Sequence, residues 1–172
     1  MKRTLSIFAL LISMSAFGQG QLQKETSGFI QFTSSKVIQL AEAVPEDKYS
    51  WAPEGARTFG EVLTHLASSN YFFVEKLGAK IPEGVSMEAI GQLKSKSEII
   101  KALKESYDLI GSTITGTPDG ALATKVEFPF PGEFTNMSSI LILMGHSNEH
   151  LGQLIAYARM NGIAAPWSQG QE

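Results

Sequence analysis

The chain has 172 residues, with 14 Lys and Arg against 17 Asp and Glu, a formal net charge of −3, three His and no Cys. Without cysteine there is no disulfide framework, no zinc–thiolate site, no thiol nucleophile and no lipid-modified cysteine anchor. No basic cluster is present, so nucleic acid is not expected as a partner.

The first residues have the parts of a secretory signal peptide. Lys2 and Arg3 precede an apolar run from Leu5 to Phe17, and Ala16-Phe17-Gly18 places small residues where a signal peptidase reads. The run falls short of the ~20 apolar residues of a permanent span. The expectation is a signal peptide over 1–18, cleavage after Gly18, and no stable membrane anchor thereafter. The protein is then exported, periplasmic or secreted. The remainder, 19–172, suits one domain able to bury about two-thirds of its surface on folding.

Leu22 to Val44 predicts a first helix, with Phe29, Ile30, Val37, Leu40, Ala41 and Val44 at helical spacing and Pro45 as its stop. Glu46 to Arg57, with Trp51, Pro53 and Gly55, predicts an ordered loop. Thr58 and Glu61 form a capping-box pattern that opens a second helix running to about Leu77, with Gly78 beyond it. Ser95 and Glu98 repeat that pattern before a third helix through Ile99, Leu103, Tyr107 and Ile110, closed by Gly111 and Gly116.

Ser112 to Phe134 is rich in Gly, Pro and Thr and predicts a long connection. It is either a lid over a site or a passive crossover, with a short strand at Lys125 to Phe128. The fourth helix, Ser138 to Met160, is capped by Thr135 or Asn136 and ended by Asn161-Gly162 and Pro166. The predicted fold class is all-α: a four-helix bundle with one long crossover connection.

His146 and His150 are four residues apart, so their side chains share one helix face roughly 5–6 Å apart at Cβ. That face is the apolar one, continuing through Ile142 or Leu143, Gln153 or Leu154, and Tyr157. His65 shares a stripe with Val62, Ser69 and Phe72. Three inward imidazoles suit one divalent ion with an open position, the arrangement of catalytic zinc sites. The same placement also suits core histidines hydrogen-bonded to neighbours. The pattern is not that of a zincin, because Ser147 stands where the general-base Glu would follow the first His. No general base is named, and Gln153 and Tyr157 either pack or orient a ligand imidazole.

Three segments carry a family resemblance: Trp51 to Ala67 around His65, Gly145 to Leu154 around the His146/His150 pair, and the tail Tyr157 to Trp167. Over them the chain resembles the DinB-like superfamily of four-helix-bundle proteins. The resemblance implies a metal site at His65, His146 and His150, with zinc or nickel as the usual ion, and pairing into a homodimer. A metal-dependent enzyme acting on a small molecule is expected: a hydrolase, where the ion acidifies a bound water, or a thiol-dependent transferase, as the resemblance to some relatives implies. The alternative is a non-catalytic bundle that binds metal or a small ligand, its fourth ligand drawn from Glu61, Ser69, Asn70 or Glu149.

Overall fold

The computed structural model describes residues 20–168; the signal-peptide reading of 1–18 lies outside them. Helix α1, Gln21–Ala43, is held at both ends by groups far away in sequence. The Gly20 N–H donates to the Asp119 carboxylate at 3.0 Å, and Gln23 Nε2 donates to the Thr117 carbonyl at 2.8 Å. A carboxylate suits this end because the first N–H groups of a helix lack intrahelical partners. At the other end Lys96 Nζ donates to the Glu42 and Val44 carbonyls, both at 2.7 Å, a cation meeting the negative end of the helix. Phe29, read as part of the apolar stripe, is exposed instead; the buried stripe runs through Gln23, Thr26, Ile30, Thr33, Ser34, Val37, Leu40 and Ala41.

Helix α2, Phe59–Lys76, has the reciprocal capping box: the Thr58 hydroxyl accepts from the Glu61 N–H and the Glu61 carboxylate accepts from the Thr58 N–H. A short helix α3, Met87–Gly91, was not expected. Its five residues bury only Ile90, too little for a periodicity to register, and the Ser86 cap bonded to the Ala89 N–H is its one local signal. Helix α4 spans Lys96–Gly116. The Ser95 hydroxyl caps the Glu98 N–H as expected, but the Glu98 carboxylate takes its hydrogen bond from the Ser95 hydroxyl, not from a backbone N–H.

The expected connection from Ser112 is corrected at its start, since α4 continues to Gly116. Thr and Gly are weak helix formers, but Ile110 and Ile114 extend a fully buried stripe there, and packing overrides propensity. The crossover then holds two two-residue strands, β1 Lys125–Val126 and β2 Phe134–Thr135, paired antiparallel with Val126 opposite Phe134. Helix α5, Asn136–Met160, takes Thr135 as its cap; the Asn136 side chain instead donates to the Ala121 carbonyl at 3.0 Å.

The four long helices form an all-α bundle in which α1 packs on α4 and α5, and α2 packs on the same two. Consecutive helices α1 and α2 therefore lie across a diagonal, as do α4 and α5. The loop from Val44 to Thr58 crosses the bundle end as the 117–135 segment does. Val37, Leu40, Leu63, Leu66, Leu103, Ile110, Leu143 and Leu154 are completely buried between the helices. Among the described residues no helix is long and apolar enough to cross a membrane.

Candidate metal centre

The diagonal topology makes α2 and α5 direct neighbours, and they run antiparallel: Trp51, just before α2, meets Tyr157 late in α5, while Phe73, late in α2, meets His146. This brings His65 opposite the His146/His150 pair. The Nε2 atoms of His65 and His146 are 3.0 Å apart, and the ring centroids of the three histidines are separated by 4.5–4.9 Å. One ligand atom from each ring lies within 4.8 Å of the other two. Tetrahedral coordination with metal–nitrogen distances of about 2.0–2.1 Å requires nitrogens about 3.3–3.4 Å apart. The three rings thus fit around one ion with side-chain adjustments alone.

Neither Glu61 nor Glu149 joins the histidine cluster, while Ser69 lies partly buried on α2, one turn beyond His65. Glu61 is held in the α2 capping box, and Asn70 donates to Ser106 Oγ of α4 at 3.1 Å in the bundle interior. Glu149 points outward, exposed, one residue from His150. Among the described residues the cluster of possible ligands is the three histidines, with no Asp or Glu joining it.

Burial dominates the electrostatics. It pushes His65 down to about 4, helped by the Arg57 guanidinium and by His150, with Glu149 opposing. Burial likewise pushes His146 down to about 4, helped by His150, His65 and Arg57. A lowered imidazole pKa means neutral rings at neutral pH, the only protonation state in which imidazole is a ligand.

The surroundings differ on the two sides. Beyond His146, Phe73 lies 6.3 Å away, and Phe128 of the crossover packs on Phe72 and Phe73 at 5.8 and 6.1 Å. Phe130 and Phe134 complete this aromatic group around Phe128 at 5.0 Å each. Gly132 permits the turn: its φ is +147°, and a Cβ there would run into the Phe134 ring. On the other side His150 Nδ1 is 2.8 Å from Gln153 Oε1, and Gln153 Nε2 donates to the Tyr157 hydroxyl at 2.8 Å. Trp51 stacks edge-on against Tyr157 with centroids 5.3 Å apart. Sequence reading named His65, His146, His150, Gln153 and Tyr157. It expected the Glu46 to Arg57 loop and the Ser112 to Phe134 segment to shape the pocket rim but did not single out Trp51, Arg57, Phe73 or Phe128, because such contacts depend on which helices adjoin.

An all-α bundle with three imidazoles converging from two adjacent antiparallel helices defines a class of bundle with a buried nitrogen-donor centre. The family model described as DinB superfamily matches residues 30–154, and the chain belongs to that superfamily. The fold is similar to a DinB-like protein from Bacillus cereus, with TM-score 0.67 and 19% identity over 81% of this chain and 94% of that one. It is also similar to YfiT from Bacillus subtilis, with TM-score 0.65 and 17% identity over 83% of this chain and 89% of the other. That structure is described as a probable metal-dependent hydrolase with an unusual four-helix bundle topology. At these identities the likeness is one of fold. No curated protein matches the chain.

Proposed function

We propose that this protein is a divalent-metal-dependent hydrolase whose ion is held by His65, His146 and His150. The donor set carries the reading. Three imidazoles from two helices, with the nearby carboxylates of Glu61 and Glu149 used or directed elsewhere, leave a coordination position for water or substrate. Nitrogen donors favour zinc or nickel over magnesium or calcium. When bound, such an ion supplies a Lewis acid that polarises a carbonyl and acidifies water.

The chain's own residues supply the setting. Burial keeps His65 and His146 neutral. Phe73 packs beside His146, and Phe128 of the crossover packs on Phe73, which makes that side of the cluster apolar. Arg57, exposed on the loop before α2, adds a positive field that favours an anionic substrate or transition state. The description of YfiT as a probable metal-dependent hydrolase supports the same reading by analogy of fold.

The test is turnover on a panel of esters, amides and lactams, before and after stripping with a chelator and reloading with zinc or nickel. Hydrolysis of at least one class should vanish with the chelator, return with the ion and be absent from His150→Ala. Turnover indifferent to chelation, or none with the ion bound, would refute the hydrolase; the latter result points to a non-catalytic ion-holding bundle.

A further inference from the structure

Among the described residues, Gln153 is the one side chain hydrogen-bonded to the Nδ1 of any of the three histidines. His146 Nδ1 is buried without a hydrogen-bonding side chain of this kind. The bond matters because a neutral imidazole has two tautomers, and whichever nitrogen carries the proton cannot be a ligand. The Gln153 amide is ambivalent in the same way. With its oxygen toward His150, it requires Nδ1–H and leaves Nε2 bare. With its NH₂ toward His150, it requires a bare Nδ1 and places the proton on Nε2.

The amide is itself held. Its Nε2 donates to the Tyr157 hydroxyl, one turn further along α5. Tyr157 is buried and packs against Trp51, whose carbonyl accepts from the Phe59 N–H at 2.9 Å. The neighbouring Gly60 N–H donates to the Tyr49 carbonyl at 2.9 Å, and a Cβ at Gly60 would press on that carbonyl at 3.2 Å. The loop is thereby clamped to the start of α2, the helix that carries His65. A closed chain of contacts therefore runs from α2 through Trp51, Tyr157 and Gln153 to His150 and back to His65, whose ring lies 4.9 Å from that of His150.

We infer that Gln153, kept beside His150 by Tyr157 and the Trp51 loop and presenting its amide oxygen to Nδ1, is a positioning residue that holds His150 in its Nδ1–H tautomer with Nε2 aimed at the ion. The inference rests on the metal reading for its purpose, but the tautomer exists in the metal-free protein and is measured there. Losing such an outer partner costs about 10–100-fold in metal affinity.

The experiment has two arms. In metal-free protein at about pH 8, above the ordinary imidazole pKa, isotope-edited nitrogen NMR should show His150 protonated at Nδ1. Gln153→Leu should give a mixture of tautomers, and Gln153→Glu, an obligate acceptor, should keep Nδ1–H. In the second arm, zinc affinity should fall about 10–100-fold in Gln153→Leu, recover in Gln153→Glu, and fall by less in Tyr157→Phe. A wild-type His150 protonated at Nε2 would overturn the inference, as would unchanged zinc affinity in Gln153→Leu. The tautomer arm decides even in a protein that takes no ion, so failure here and failure of the metal reading are distinguishable.

Discussion

Acidifying the metal-free protein from pH 6.5 to about 4 should destabilise it through the two buried imidazoles. His65 and His146 have their pKa values lowered from 6.5 to about 4 in the folded state. Between those limits the unfolded chain binds more protons than the folded one, so unfolding becomes easier as pH falls. The stability is fully present above about 6.5 and is lost as pH drops through the folded value. At about 1.4 kcal/mol per pKa unit, with a substantial discount because solvent screens these half-buried rings, the pair contributes on the order of 2–4 kcal/mol. The assay is urea denaturation with a chelator at half-unit pH steps, on wild type and on a His65→Asn/His146→Asn double variant. Glu61, whose carboxyl is held low by the Thr58 N–H, is common to both proteins and cancels in the difference. The wild-type curve should converge towards that of the variant on the acid side. Parallel profiles from pH 7 to 4 would refute the reasoning.

Other perturbations probe the scaffold around the site. Leu143→Ala, at a completely buried position one turn before His146, should cost about 2–5 kcal/mol by denaturant unfolding. Thr58→Ala removes the cap of the helix that carries His65 and should cost about 1 kcal/mol, read as a lower urea midpoint with an unchanged slope. Gly132→Ala forces a Cβ into the Phe134 ring at positive φ and should cost about 1–3 kcal/mol, with altered near-ultraviolet circular dichroism from the crossover phenylalanines.

Much of the bundle was legible because its long helices carry their own signals. Thr58–Glu61 and Thr135 mark helix starts through local hydrogen bonds, and Leu143, His146, His150, Leu154 and Tyr157 share a face by spacing alone. The histidine cluster was legible for the same reason: a four-residue separation fixes two of its members before folding. What failed was non-local. Periodicity cannot reveal that α1 and α2 sit across a diagonal, because it assigns a buried face without naming the helix that covers it. The last turn of α4 was hidden by Gly and Thr, whose weak propensity is outweighed by burial of Ile114. Phe29 followed the apolar count but lies beside the buried stripe, not in it. Trp51 and Phe128 pack on Tyr157 and Phe73 from loops whose paths are set by tertiary contacts, so their spacing did not single them out.

The central claim is one divalent ion per chain on three imidazoles, and metal analysis of protein purified without chelator tests it most directly. Wild type reloaded with zinc should hold about one ion per chain, and His65→Ala, His146→Ala and His150→Ala should each hold little after the same dialysis. Equal metal content in wild type and all three variants would contradict the site.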